Sequence, residues 1–271
     1  NIDQAELDKG TLRNPISIHQ DAKAFLTQLL KVLEGKTLPD WSLWVKRCQY
    51  LRDRYPVCLP EYKNEESFVN SFYLIDTLSK MAAADDIIVT DMGFAFQNTH
   101  QAWKTKKGQR IITNCGLAPM GWGLPAAIGA AIGTGRRILL IAGDGGLMMN
   151  IQELATVMHH KLNIKIFVLN NGGYLTIKQT QQLGFEGRLM GVDKDTGLSF
   201  PDMFHIAAAH GIAITTIHNH RELQYLGSHI YDRFPHLIEI MMSPEQIQAP
   251  RSVNRRNPDG TMNPTKLEDA Y

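Results

Sequence analysis

The chain has 271 residues, a formal net charge of +1, 44% hydrophobic residues and 20% charged residues. That balance is globular and excludes a disordered tail, a collagen-like repeat and a disulfide-stapled scaffold. Near-neutral charge argues against a nucleic-acid or membrane-surface protein, and no apolar run reaches the roughly 18 residues of a membrane span. Cys48, Cys58 and Cys115 form no CxxC pair and read as reduced thiols of a cytoplasmic protein. The opening Asn1-Ile2-Asp3-Gln4 has neither Met nor a basic-then-apolar leader, which reads as an interior or truncated segment.

In chain order, residues 1–60 form an uneven preamble. Ala24, Phe25, Leu29, Leu30 and Leu33 carry helical spacing over 20–33, and Gly35 stops that helix. A Trp- and Arg-rich helix is predicted over 41–55, and Pro56 and Pro60 bracket a linker. From residue 61 to 241 the signals alternate. Helices are predicted over 65–84, 123–133, 151–160, 202–210 and 221–231. Strands are predicted over 87–90, 110–113, 137–142, 164–169, 212–217 and 236–241. Short continuous apolar strands alternating with helices indicate a parallel sheet covered on both faces, a doubly wound α/β domain. Such domains bind ligands at the carboxyl ends of their strands. Residues 242–271, rich in Pro, Arg and Asn, read as an extended C-terminal arm.

Two strand ends carry the chemistry. The strand 137–142 runs into Gly143-Asp144-Gly145-Gly146, with a helix expected a few residues later. Glycines permit a tight turn and close approach, and helix N-terminal amides suit a phosphate. Asp144 would repel that phosphate unless a divalent cation lay between them, and Mg2+ prefers such oxygen donors. The strand 164–169 ends in Asn170-Asn171-Gly172-Gly173-Tyr174, on the same sheet edge. Asp144, one Asn and one backbone carbonyl make a half-shell for Mg2+, which diphosphate oxygens and water would complete. Either turn alone is common; the pair, each ending an apolar strand and separated by one helix, is specific.

The GDG, the intervening residues 146–169 and the Asn-Asn pair resemble the diphosphate-binding motif of thiamine diphosphate enzymes. The segment Gly116-Leu117-Ala118-Pro119-Met120-Gly121-Trp122-Gly123-Leu124-Pro125-Ala126-Ala127-Ile128-Gly129 is similar to the one preceding that motif in the acetolactate synthase group. Ile2-Asp3-Gln4-Ala5-Glu6-Leu7 resembles the end of that group's central domain. The resemblance implies the thiamine diphosphate-binding fold, with 1–60 as a helical remnant of the central domain and linker, 61–241 as the diphosphate- and Mg-binding domain, and 242–271 as the arm. It implies thiamine diphosphate and Mg2+ as cofactors; FAD is compatible with it but no motif in this segment supports it. Asp144, Asn171 and the Gly173 carbonyl would ligate Mg2+. Gly143, Gly145, Gly146 and Tyr174 would surround the diphosphate. Met120 would wedge the cofactor into a bent shape, and the Ala118 carbonyl would accept a hydrogen bond from its aminopyrimidine.

The resemblance also has departures. The loop that often brings a His-Gln contact to the diphosphate here reads Met92-Gly93-Phe94-Ala95-Phe96-Gln97, leaving the backbone of Ala95 and Phe96 as candidates. Where acetolactate synthases often carry a selecting Trp after the Asn-Asn, this chain has Thr180 in Lys178-Gln179-Thr180-Gln181. The implied reaction is decarboxylation of a 2-oxo acid with or without carboligation. The activating Glu is expected in a pyrimidine-binding domain of the same protein or a partner subunit, so no residue here is assigned a catalytic role. A homo-oligomer is implied. The alternatives are a decarboxylase-type relative in sugar or polysaccharide synthesis and a non-catalytic cofactor-binding module. A generic nucleotide-binding domain lacks support, because no GxGxxG or GxxxxGK[ST] follows a strand. His159 and His160 read as a surface helix end, His205, His210, His218 and His220 show no metal spacing, and Trp103 with Lys104, Lys106 and Lys107 reads as a solvated loop.

Overall fold

The computed structural model describes residues 2–9, 16–249, 254–257, 259 and 261–264. The chain divides between Tyr55 and Pro56 into two units. The first holds α1 (Gln4–Asp8), α2 (Ala22–Leu33) and α3 (Ser42–Arg54). The Asp21 carboxylate caps α2 by accepting the Lys23 and Ala24 amides at 3.0 and 3.1 Å, and Gly35 turns the chain beyond it at φ +68°. None of these three helices has a buried residue.

The second unit runs α4 (Ser71–Met81), β1 (Ile87–Thr90), α5 (Phe94–Ala102), β2 (Arg110–Ile112), α6 (Gly123–Thr134), β3 (Ile138–Gly143), α7 (Asp144–Met148), α8 (Leu154–His159), β4 (Ile164–Asn170), α9 (Leu175–Gly184), α10 (Met203–His210), β5 (Ala213–Ile217), α11 (Leu226–Ile230) and β6 (His236–Met241). The six strands form one parallel sheet in the order β2-β1-β3-β4-β6-β5. Strand alternation builds a core on each face. Leu139, Ile141, Phe167 and Leu169 pack with α4 and α5 on one side. Ile138, Leu140, Ile166 and Val168 pack with α6, α8 and α10 on the other. This is the doubly wound α/β fold expected from the apolar strands.

Several predicted elements change in detail. The helix expected over 65–84 starts only at Ser71, because the Asn70 side chain accepts the Phe72 and Tyr73 amides at 3.0 and 3.3 Å and caps it there. Those expected over 151–160 and 221–231 each open with a 3-10 segment, Ile151–Glu153 and His220–Tyr225. The loop expected over 92–97 is already helix from Phe94. The helix expected some residues after the GDGG turn begins at Asp144 itself, with Gly143 as its extended N-cap. Helix α9 corresponds to no predicted element.

In the segment predicted as an arm, residues 242–249 run back over the domain. Met242 and Ala249 are buried, and the Tyr62 hydroxyl donates to the Ala249 carbonyl at 3.0 Å. Beyond them β7 (Asn254–Arg256) and β8 (Met262–Pro264) pair antiparallel. The remainder of the predicted arm, 250–253, 258, 260 and 265–271, lies outside the described residues.

Candidate functional site

The chain leaves β1 toward β2 on one side and leaves β3 toward β4 on the other, so the carboxyl ends of β1 and β3 form a topological switch point. Crevices open at such points because successive connections diverge there. A cavity of about 450 Å3 lies at these ends. The turn after β3 contributes Gly143, Asp144, Gly145 and Gly146, and the turn after β4 contributes Asn171, Gly173 and Tyr174. The segment before α6 contributes Ala118 and Met120, and the first turn of α5 contributes Ala95 and Phe96. All the residues proposed from the sequence to bind cofactor or metal line this one cavity, while Thr180 does not.

Asp144 is 1% exposed. One carboxylate oxygen accepts the Gly145 amide at 2.8 Å; the other accepts the Gly172 amide at 2.8 Å and the Gly173 amide at 3.2 Å. The carboxylate therefore joins the turns after β3 and β4. Burial pushes its carboxyl up to about 6, against the pull of the Gly145, Gly172, Gly173 and Asn171 amides. Beside it the Asn171 side-chain oxygen is buried and accepts no hydrogen bond. An ionisable carboxylate short of solvation next to an unsatisfied amide oxygen is a donor set that a hard cation would complete. Among the described residues no three His, Cys, Asp or Glu side chains cluster to hold a metal by themselves. A cation here would draw its remaining oxygens from a ligand, which fits a metal–diphosphate pair.

Glycine is required on the walls. A Cβ on Gly145 would fall 2.3 Å from the Tyr174 ring, and one on Gly173 would fall 2.1 Å from the Val192 carbonyl oxygen. Tyr174 packs edge-on against Phe200 at 5.7 Å, and its amide donates to Val192 at 2.8 Å, so it acts as a wall. The first bond of α5 runs from the Gln97 amide to the Gly93 carbonyl at 3.0 Å, so the amides of 94–96 precede the helical ladder. Ala118 stands in the left-handed region at φ +49°, and Met120 is 38% exposed at the cavity rim.

Sequence reasoning singled out the stretch 92–97 but took only Ala95 and Phe96 from it; Met92, Gly93, Phe94 and Gln97 line the same cavity, and so do residues it missed, Leu169, Leu175, Thr176 and Ile177. The Gln97 side-chain oxygen is buried there without a partner. The signal for the last three was their place right after Asn-Asn-Gly-Gly-Tyr, where a helix starts. A larger hollow of about 630 Å3 shares Asp144 and is lined by Asn170, Thr216 and Glu239. The Glu239 carboxylate is already engaged, accepting from Asn170 at 2.7 Å and Thr216 at 3.0 Å.

The stretch expected as a solvated loop is a loop, with Lys104 and Lys107 exposed, but it is also tied to the domain. Trp103 is buried and its indole donates to Gln109 at 3.2 Å. Lys104 pairs with Asp76, and Lys106 reaches the carbonyls of Lys80 at 2.8 Å and of Ala82. These lysines stitch the end of α4 to the loop before β2.

Residues 91–240 match the family described as thiamine pyrophosphate enzyme, C-terminal TPP binding domain. The chain belongs to this family. It is 32% identical over 248 residues to the acetolactate synthase isozyme 1 large subunit of Escherichia coli K12, covering 90% of this chain and 42% of that protein. It is 30% identical over 255 residues to the acetolactate synthase large subunit of Lactococcus lactis, covering 92% and 42%. It is 30% identical over 258 residues to the chloroplastic acetolactate synthase 2 of Nicotiana tabacum, covering 92% and 38%. The chain thus spans about two-fifths of the length of these relatives. A thiamine diphosphate-dependent 4-hydroxybenzoylformate decarboxylase from Rhodococcus jostii RHA1 shares the fold at TM-score 0.60 and 22% identity, over 66% of this chain and 33% of that one. Among the described residues no helix is long and apolar enough to cross a membrane.

Proposed function

We propose that this chain is the diphosphate-anchoring part of a thiamine diphosphate- and Mg2+-dependent enzyme that decarboxylates a 2-oxo acid and joins the product to a second carbonyl. The observation that carries this reading is the buried Asp144 carboxylate beside the orphaned Asn171 oxygen, at the mouth of a glycine-walled cavity. When bound, thiamine diphosphate supplies the electron sink that stabilises the carbanion left as a 2-oxo acid loses CO2. Asp144, Asn171 and the Gly173 carbonyl hold Mg2+. The first-turn amides of Ala95 and Phe96, with the Gly143–Gly146 turn, receive the diphosphate. Ala118 and Met120 would face the remainder of the cofactor, whose other wall would belong to a pyrimidine-binding domain of the same protein or a partner subunit. That domain also carries the activating Glu. The cavity is then completed by oligomer formation, and the three unpaired thiols support a reaction in the cytoplasm.

Isothermal titration with Mg2+ and thiamine diphosphate tests the site. Asp144→Ala abolishes Mg2+-dependent binding, because it removes the charged ligand. Asn171→Ala weakens binding about tenfold, the worth of one neutral oxygen contact that water replaces. Unchanged affinity in Asp144→Ala overturns the metal assignment.

A second reading concerns the acceptor. Thr180 is exposed on α9, its hydroxyl bonded to the Thr176 carbonyl at 3.0 Å, so no aromatic ring stands there to select a second oxo acid. This favours a decarboxylase-type relative acting in sugar or polysaccharide synthesis.

A further inference from the structure

The segment that carries Ala118 and Met120 into the cavity is gripped at Gly121 from both sides. Its carbonyl accepts the Asn150 side-chain amide at 2.7 Å. Its N–H lies 3.1 Å from each oxygen of the Asp91 carboxylate. Asp91 follows β1 directly, and its own N–H donates to the Ile141 carbonyl of β3 at 2.8 Å, so its backbone is fixed in the sheet. Its side chain is 1% exposed and also accepts the Met92 amide at 2.8 Å.

We propose that Asp91 is a positioning residue that clamps the 116–123 strap to the end of β1 and so sets where Ala118 and Met120 stand in the cavity. This rests on the reading that those two residues face the cofactor.

The packing around the carboxylate supports a clamp. A Cβ on Gly123 would fall 2.8 Å from the Asp91 Cβ, and one on Gly146 would fall 2.7 Å from Asp91 Oδ2. Glycine at both positions lets the strap and the turn after β3 close on one carboxylate. Gly121 takes φ +83°, and a Cβ there would fall 2.7 Å from the Met149 Cβ. The strap is therefore threaded between Asp91 and α7, with no room for sliding. Ala118 holds a left-handed conformation that L side chains disfavour. Such conformations persist when flanking contacts over-determine them. The Ala118 amide is held by the Asn114 carbonyl at 2.9 Å on one side, and the Gly121 grip lies on the other. Backbone amides of Met92, Gly121 and Gly123 are what compensate the burial of the Asp91 charge. An acceptor-only group is needed there, because each partner is a donor.

Residue-resolved hydrogen exchange on the 271-residue chain tests the clamp directly. Asp91→Asn keeps the volume but presents an NH2 where an acceptor is needed. The Gly121 and Gly123 amides then exchange about tenfold faster, as expected for losing one charge-assisted bond. The Gly172 and Gly173 amides, held by Asp144, keep their protection. Asp91→Ser gives the same split and serves if the Asn variant does not fold. Titration then separates the two ends of the cavity. With Mg2+ and inorganic pyrophosphate as the probe, Asp91→Asn binds like the unaltered chain; with Mg2+ and thiamine diphosphate it binds about tenfold more weakly. The proposal is overturned by unchanged exchange at Gly121, by loosening of all four glycines together, by equal loss of both ligands, by undiminished thiamine diphosphate affinity, or by failure of both variants to fold. Failure of the unaltered chain to bind either ligand counts against the functional reading instead, and leaves the exchange result to decide the clamp.

Discussion

At the residue scale, the site is built from groups that are costly except in one arrangement. A buried carboxylate without a cation is penalised, and Asp144 reduces that penalty by accepting amides from two turns at once. The glycines opposite it have no freedom to change. In Gly173→Ala the new methyl meets the Val192 carbonyl, a backbone atom held by the Tyr174 amide. The turn must then open, at about 1–3 kcal/mol. A lower melting temperature together with weaker Mg2+–diphosphate binding is the expected pair of readouts. Fold retained with full affinity would show that the turn yields freely. Asp144 and Asn171 were legible from sequence because each directly follows an apolar strand, where the chain must turn and side chains reach one edge. Asp91 was not: it also follows a strand, but its partner Gly121 is distant in sequence, and nothing local announces the contact.

At the element scale, the opposite edge of the sheet is tied by charge. Arg137, just before β3, donates from two nitrogens to Asp86, just before β1, each at 2.8 Å, while Asp86 is 1% exposed. Removing one member of a buried pair leaves the other uncompensated. Asp86→Ala is expected to lower stability by about 3 kcal/mol, read as a shift in the urea midpoint. Farther along, β4 carries the fully buried Lys165, bonded to Asp232 and to the Phe234 carbonyl, beside His236 of β6. Burial, with the neighbouring His229 adding to it, pushes the His236 imidazole down from 6.5 to about 4. The folded state therefore resists a proton at His236 that the unfolded chain accepts, so this imidazole's contribution to stability is level above pH 6.5 and declines as pH falls toward 4, while Asp144, pushed up to about 6, contributes the opposite slope below that pH. Urea titrations of the unaltered chain and of His236→Gln, compared between pH 7.5 and about pH 5, isolate this contribution. The unaltered chain loses more stability on acidification than His236→Gln; identical pH dependences would assign the effect to another group.

At the scale of the whole molecule, the proposed function makes the cavity a half-site. Met120 is 38% exposed and Leu117 87% exposed beside it. The relatives are more than twice as long as the segment they share with this chain. The chain by itself is expected to bind thiamine diphosphate weakly, to self-associate through this apolar rim, and to show no turnover of pyruvate. Addition of a pyrimidine-binding domain restores some activity, and with Thr180 in place the product mixture holds little acetolactate. Light scattering, a decarboxylation assay and product chromatography read these outcomes. Robust turnover by the chain alone overturns the division of labour.

The sequence by itself determined the parallel α/β class, the strand positions and the two turns that carry Asp144 and Asn171. These follow from short-range properties: apolar runs that must be buried on both faces, and glycines and asparagines where a strand must turn. The helix limits depended on capping as well as periodicity, which is why α4 begins after Asn70's cap. Only the tertiary structure decided that α9 supplies a wall to the same cavity, that Lys106 is a structural tie, and that Asp91 holds the strap at Gly121. Those features arise where segments far apart in the chain meet at a switch point of the sheet. Their energies belong to the meeting, in amides satisfied and space filled across the gap, and neither partner shows them alone.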